Sequence, residues 1–256
     1  DYHASFAEYR DVKKSFFDQL PSTAFALVNA DDKNGSVMLQ NTKAKQSTYA
    51  LKSYANYRVQ ILENQFSGLL LKINDSEVWV KLIGDFNAYN LLAVYGTALL
   101  LGEDETEVLI AMSTIEGAEG RFDVVRSIEK GLTAIVDYAH TPDALRNALS
   151  MLRECTPGRL HVVFGCGGDR DRGKRLEMTR VACAGADKVW ATSDNPRTES
   201  QGNIFNDMRK GISKSSKVYF VDDRRRAISM ALDSAGNEDC VLIAGKGHET
   251  FQEVQY

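Results

Sequence analysis

The chain has 256 residues, 43% of them apolar and 26% charged, with a formal net charge of -4 at pH 7. That composition belongs to a folded globular protein with room for one large domain or two ordinary ones. The acidic balance gives no electrostatic footprint for nucleic acid, and no apolar run is long enough to span a bilayer, so neither partner is expected.

The four cysteines, Cys155, Cys166, Cys183 and Cys240, show neither CxxC nor metal-ligand spacing. Cys240 falls in an apolar run and Cys183 in a helical one, so buried free thiols in a reducing compartment are expected. With no signal peptide, the cytoplasm is the expected location. The chain starts at Asp1 without an initiator Met, and Asp1-Tyr2-His3 reads as the tail of a loop. Residues 251–256 read as a strand with no closing element. The sequence is therefore expected to be a fragment of a longer protein.

Apolar residues near helical spacing predict a helix over 7–17. Residues 25–29 read as a short buried strand. Alternation dominates 49–82: Tyr57, Val59 and Ile61, then Leu69, Leu71 and Ile73, predict antiparallel strands. Asn74-Asp75-Ser76 is the expected hairpin turn ahead of Val78. Helices are expected over 87–101, stopped by Gly102, and over 105–113.

Beyond Arg121 strands and helices alternate. Strands near 134–138, 161–165, 188–193, 218–221 and 241–245 are separated by helices near 142–153, 174–184, 204–210 and 224–234. This predicts an α/β chain: a Rossmann-like, doubly wound parallel sheet preceded by a domain with an antiparallel β portion. The boundary is placed near 120–125, giving domains of 1–122 and 123–256, with no internal repeat and no low-complexity linker.

Four polar loops follow strand-like runs in the second half: DYAHTP at 137–142, GCGGDRDRGKR at 165–175, DNPRTE at 194–199 and GKGHE at 245–249. A parallel sheet gathers such loops along the carboxyl ends of its strands, so they predict a pocket for a small, charged substrate. In Gly165-Cys166-Gly167-Gly168-Asp169-Arg170, Arg170 stands where a dinucleotide fingerprint needs its third glycine, and no acidic ribose ligand follows at the usual distance. An oxidoreductase is disfavoured on that ground. The turn carrying Asp169, Arg170, Asp171, Arg172, Lys174 and Arg175 suits an anionic ligand, because arginine grips carboxylate or phosphate bidentately. The plainer reading is a solvated basic turn. Turn and cap chemistry explains Asp194, Asn195 and Pro196 equally well, but not Arg197. His248 by itself reads as an ordinary polar loop residue.

In combination, DYAHTPDAL, FGCGGDRDRGKR, DNPRTE and AGKGHE resemble the carboxy-terminal domain of the Mur ligases of peptidoglycan synthesis, more narrowly the MurE type that adds the third amino acid. Asp1-Tyr2-His3, Glu8-Tyr9 with Lys13, Gly84-Asp85-Phe86-Asn87 with Asn90, and Gly120-Arg121-Phe122 resemble the later part of that family's central ATPase domain. The family's phosphate-binding Gly-Lys-Thr/Ser loop does not occur in these residues. Gly173-Lys174-Arg175 and Gly245-Lys246-Gly247 lack the hydroxyl that would hold Mg2+. The UDP-binding amino-terminal domain is not represented either, so these residues alone are expected to be inactive. Leu176 stands where many members have Pro, a harmless departure.

The resemblance implies that ATP phosphorylates the D-glutamyl carboxylate of UDP-N-acetylmuramoyl-L-alanyl-D-glutamate. The amine of meso-diaminopimelate then attacks the acyl phosphate, with Mg2+ neutralising phosphoryl charge. It places Asn87 and Asn90 near adenine, Arg121 near the nucleotide, Asp137 near the ribose and His140 near the phosphates with a catalytic role. Lys13 takes the place of the family's carbamylated, Mg2+-binding, catalytic lysine. From the residues alone, Lys13 and Lys14 read as solvated helix positions, and Asn87 and Asn90 as helix N-caps.

For the amino acid, the resemblance makes Arg197 the mark of diaminopimelate-adding members. Arg170 supplies a second guanidinium and Asn195 a hydrogen bond, with Asp194 and Pro196 shaping the loop. Glu249 with the Gly245 carbonyl receives the distal ammonium. Binding lysine would then leave Arg197 unpaired, at about 3–5 kcal/mol for a buried charge. A lysine-adding ligase and a folylpolyglutamate-synthetase-like ligase are the alternatives within the architecture, a non-catalytic scaffold the alternative outside it. A monomer is expected.

Overall fold

The structure, a computed structural model, describes residues 5–213 and 217–254. Asp1-Tyr2-His3 and the last two residues of the 251–256 run lie outside the described residues. The chain divides into two compact units, Asp1–Glu116 and Gly117–Tyr256. The division falls ahead of residue 122 because the segment before it bonds into the second unit. Gly120 N donates to Asp123 Oδ2 at 2.7 Å, and Phe122 N donates to Asp137 Oδ2 at 3.1 Å.

The first unit runs α1 (Phe6–Asp18), β1 (Phe25–Asn29), α2 (Gly35–Leu39), β2 (Lys45–Ala50), β3 (Tyr57–Gln65), β4 (Gly68–Ile73), β5 (Ser76–Val80), α3 (Asp85–Leu101) and α4 (Glu105–Thr114). Its sheet has the order β1-β2-β3-β4-β5. The alternation in β3 to β5 follows the pleat: Val59, Leu69, Leu71, Ile73, Val78 and Val80 are buried against Ala88, Leu91, Leu92 and Tyr95 of α3. Each such Leu or Val contributes about 1.5–3 kcal/mol on burial. Ile73 pairs with Ser76, leaving a two-residue turn in which Asn74 takes φ 52, a conformation asparagine tolerates. Gly102 ends α3 at φ 94.

Two elements of this unit carry no pattern in the sequence. β2, Lys45-Gln46-Ser47-Thr48-Tyr49-Ala50, is parallel to both β1 and β3 and is held by that pairing rather than by apolar alternation. α2 is a five-residue helix without a side-chain cap.

The second unit runs β6 (Asp123–Ser127), β7 (Leu132–Asp137), α5 (Pro142–Cys155), β8 (Leu160–Cys166), α6 (Gly173–Gly185), β9 (Lys188–Ser193), α7 (Gln201–Arg209), β10 (Lys217–Val221), α8 (Arg224–Ser234) and β11 (Cys240–Ala244). The strand order is β10-β9-β8-β11-β7-β6, parallel throughout except for β6, which is antiparallel to β7 at the edge. The chain steps outward from β7 through β8 and β9 to β10, then returns to insert β11 between β8 and β7. Right-handed crossovers send helices of opposite step direction to opposite faces. Accordingly α5, α6 and α7 pack side by side, while α8 buries Ala227 and Ala231 against Val163, Trp190 and Val241. Every residue of β8 is buried, as a central parallel strand requires. The carboxyl ends of β9, β8, β11 and β7 therefore stand next to one another on one edge.

Residues 251–254 do not form the strand read from the sequence. They make one parallel bridge, Val254 to Arg197, because their polar groups are bonded to loop residues instead. Lys246 Nζ donates to the Phe251 carbonyl at 2.9 Å, and Gln252 Nε2 donates to Ser193 Oγ at 2.7 Å. All four cysteines are free; Cys166 and Cys240 are buried, and burial pushes both thiols up to about 12, whereas Cys183 is only half-buried. Among the described residues no helix is long and apolar enough to cross a membrane.

Candidate functional site

In the first unit, α1 begins at Ser5, whose Oγ accepts from Glu8 N at 3.2 Å. Lys13 is exposed on this helix, its Nζ 5.5 Å from the centre of the Tyr9 ring, and Lys14 pairs with Asp18 at 2.5 Å. Among the described residues no group of three His, Cys, Asp or Glu is placed to hold a metal ion.

Asn87 and Asn90 lie in the first turns of α3, but neither is its N-cap. That position is Gly84, at φ 87 and without a side chain. Asn87 Nδ2 donates back to the Ile83 carbonyl at 2.9 Å, and its Oδ1 accepts from Asn90 Nδ2 at 3.2 Å. Asn90 is exposed, and its side-chain oxygen and second amide proton have no partner among the described residues.

In the second unit, β7 ends at Asp137, which is 8% exposed. Its Oδ1 accepts from Ala139 N at 2.8 Å and its Oδ2 from Phe122 N. Burial raises its pKa, and these backbone donors offset that only in part. The carboxylate braces two loop segments. The Arg121 guanidinium lies over the Tyr138 ring at 4.6 Å, and that ring meets His140 edge-on at 4.7 Å and stacks on His248 at 6.1 Å. His140 is exposed, with Nδ1 2.9 Å from the Tyr138 carbonyl. A carbonyl only accepts, so Nδ1 carries the proton, and Nε2 donates to a phosphate oxygen only when the ring is charged. Gly120 takes φ 71, and a Cβ there would run into the backbone of Gly247 and His248. Glycine at this point lets the 245–249 loop pack against residue 120.

The β8 and β9 loops are locked to each other. A Cβ on Gly168 would meet the Pro196 carbonyl oxygen, and Gly168 N donates to the Asn195 carbonyl at 2.8 Å. Asp169, at φ 53, accepts from Thr198 Oγ1 at 2.8 Å, and its own N–H donates to Glu199 Oε1 at 2.8 Å. Arg175, 1% exposed, donates to Glu199 at 2.7 and 2.9 Å, to Asp207 at 3.1 Å and to the Gly167 carbonyl at 3.2 Å. The Arg175 hydrogen bonds hold the Glu199 carboxyl down at about 2. Arg175, grouped above with residues suited to an anionic ligand, is thus consumed internally. Arg170 stays exposed and carries no ion pair among the described residues.

The DNPR segment meets the β11 loop. Asp194 Oδ1 accepts from Asn195 N at 2.7 Å. Asn195, 8% exposed, accepts at Oδ1 from Lys246 Nζ at 3.0 Å and from Glu253 N at 2.8 Å. Pro196 directs its carbonyl to Glu199 N at 3.0 Å. Arg197 sits at φ 52; its Nη1 donates to the Gly168 carbonyl at 2.9 Å and its Nε pairs with Glu253 at 2.9 Å, leaving Nη2 without a partner among the described residues. Gly245, at φ 109, donates to the Asp137 carbonyl at 3.0 Å. Burial raises the Glu249 pKa, but the hydrogen bond and charge of Lys246, 3.1 Å away, more than offset this and hold it below the usual range.

Two cations at this edge were given no role by the sequence reading. Lys246 is described above. Arg224 opens α8 and donates to the Ala244 carbonyl at 2.8 Å and the Ser193 carbonyl at 3.4 Å, closing the ends of β11 and β9. Burial lowers its pKa, opposed by the charges of Asp194 and Glu249. The available signal was electrostatic: a basic first turn opposes the helix dipole, so Arg224 needs another reason to be there.

The Mur ligase glutamate ligase domain matches residues 120–247, and the Mur ligase middle domain matches residues 1–98. The diaminopimelate ligase of Phocaeicola vulgatus, named UDP-N-acetylmuramoyl-L-alanyl-D-glutamate--2,6-diaminopimelate ligase, is 54% identical over all of this chain and 53% of its own length. A ligase of the same name from Parabacteroides distasonis is 51% identical over the same shares. A solved structure of a ligase of that name is 39% identical with a TM-score of 0.64, covering 99% of this chain and 54% of the other. The MurF ligase of Thermotoga maritima in complex with ADP, 18% identical with a TM-score of 0.73 over 95% of this chain and 55% of its own, shares the fold. The chain spans about half the length of the curated relatives it matches. By the glutamate ligase domain and by these relatives, the chain belongs to the Mur ligase family.

Proposed function

We propose that the protein carrying this chain is an ATP-dependent ligase that joins meso-diaminopimelate to UDP-N-acetylmuramoyl-L-alanyl-D-glutamate. The observation that carries the reading is the cluster at the carboxyl ends of β9 and β11. Arg197 keeps one guanidinium nitrogen open, while Asn195 and Glu249 supply a buried amide and a carboxylate. That set fits a ligand bearing a carboxylate and an ammonium on the same carbon, which diaminopimelate has at its far end and lysine does not. The names of the relatives support the same assignment. The free cysteines favour a reducing cytoplasm.

In this reading ATP supplies the phosphoryl group that turns the glutamyl carboxylate into an acyl phosphate. Asn87 and Asn90 contact adenine, using the open edge of Asn90. Arg121, stacked on Tyr138, and His140, through Nε2, meet the anionic part of the nucleotide. Asp137 orients that loop from below. Glu249 and the Gly245 carbonyl hold the distal ammonium, Arg197 and Arg170 the distal carboxylate, so that the other amine is aligned for attack. Lys13, if carbamylated, would add a carboxylate-like ligand for Mg2+ from α1.

Lysine would meet a smaller penalty than a stranded buried charge. Arg197 is 22% exposed and already paired with Glu253, so lysine does not strand a buried charge. Selectivity comes instead from what the distal carboxylate gains, about 1.5–3 kcal/mol for a hydrogen bond to a charged group, or roughly ten- to a hundredfold. The test is amino-acid choice by the full-length wild-type ligase. Diaminopimelate is expected to exceed lysine in kcat/KM by about that factor; equal use of the two would overturn the assignment.

A further inference from the structure

One buried charge in the β11 loop is not among the residues assigned to ligand. Lys246 is 8% exposed, and its Nζ lies 3.0 Å from Asn195 Oδ1, 3.1 Å from Glu249 Oε2 and 2.9 Å from the Phe251 carbonyl, with Asp194 Oδ1 at 3.9 Å. An ammonium has three donors and no acceptor, and the three short contacts use all of them. None of its protons is left for a ligand. Its effect has to run through its partners.

Asn195 shows what that effect is. An asparagine amide has two faces of nearly equal shape and opposite hydrogen-bonding sense, and a buried one is fixed only by its neighbours. Here two donors, Lys246 Nζ and Glu253 N, converge on one atom. That atom has to be the oxygen, because a flipped amide would set its NH2 against an ammonium and an N–H. Nδ2 is thereby turned to the other side, and Asn195 and Tyr138 both help to hold the Glu249 carboxyl in its charged form.

We infer that Lys246 is the positioning residue of the amino-acid site, fixing the amide sense of Asn195 and one oxygen of Glu249 so that donor and acceptor face the incoming amino acid together. This rests on the assignment of the β9 and β11 loops to the amino acid. A side chain that merely closed the fold would give the same contacts, so the test needs a readout that stability does not move.

That readout is KM for diaminopimelate against KM for ATP in the full-length ligase. Lys246→Met is expected to raise the first about tenfold and the second less than about twofold. Asn195→Asp keeps the acceptor oxygen but deletes the Nδ2 donor, and is expected to raise KM for diaminopimelate by a similar factor. Because both act through one amide, the double variant should stay near tenfold rather than reach the roughly hundredfold product. Should Lys246→Met fail to fold, Lys246→Gln, which keeps one donor toward Asn195 and gives up the others, is expected to raise KM for diaminopimelate by less than about tenfold and again to leave KM for ATP within about twofold. A parallel rise in both KM values, or a multiplicative double variant, overturns the inference. Arg197→Ala separates the layers: if it raises KM for diaminopimelate and Lys246→Met does not, the inference alone fails. If neither does, the site assignment fails with it.

Discussion

At the first turns of α3, Asn87 and Asn90 share one side-chain hydrogen bond and Asn90 is exposed. At the carboxyl edge of the second sheet, Asp137, Asn195, Arg175 and Lys246 are all buried, and each ties one loop to another. The difference is one of preorganisation. A buried, bonded polar group has already met its desolvation cost, so it holds one geometry and discriminates between ligands by fit. An exposed asparagine takes its geometry when the ligand arrives. In the proposed function the second region chooses the amino acid, and the first accepts a nucleotide that is always the same.

The largest expected effect tests whether the lock between the β8 and β9 loops is structural. Arg175→Ala leaves Glu199 and Asp207 without their buried partner and is expected to cost about 3–5 kcal/mol in chemical denaturation. A loss below about 1 kcal/mol would reduce this network to the level of a surface pair. The same lock sets an acid limit. Glu199 is held at about 2, below its ordinary 4.5, so its contribution is fully present above about pH 4.5 and is lost as pH falls toward 2. Glu199→Gln should flatten the stability profile in that window.

The smallest effect belongs to the open region. Asn90→Ala should change stability by less than about 0.5 kcal/mol, as exposed substitutions do. It should nevertheless raise KM for ATP in the full-length ligase severalfold. An unchanged KM would remove Asn90 from the adenine site and weaken the contrast between the two regions.

What could be read from the chain followed the same division between local and distant causes. The alternation of β3 to β5 and the largely apolar run of β8 are local patterns, and both elements were legible. β2 and the edge strand β6 owe their existence to neighbours supplied by other parts of the chain, so their own residues say little. The loop motifs at 137–142, 165–175, 194–199 and 245–249 could be placed on one sheet edge from strand order alone. Which guanidinium faces inward could not: Arg170 and Arg175 sit in one basic run, yet one is exposed and the other is 1% exposed, because α6 turns Arg175 toward Glu199. The bond of Lys246 to Asn195 spans 51 positions, and the pairing of Arg197 with Glu253 likewise joins two separate loops. No spacing rule reports such contacts.

In the proposed function the loops of β9 and β11 hold the distal end of the added amino acid while the nucleotide is held elsewhere. Steady-state kinetics of full-length Arg197→Ala, with diaminopimelate and ATP varied in turn, tests it most directly. In this variant kcat/KM for diaminopimelate is expected to fall about ten- to a hundredfold while KM for ATP stays within about twofold. Unchanged kinetics toward diaminopimelate, or an equal loss toward ATP, would contradict it.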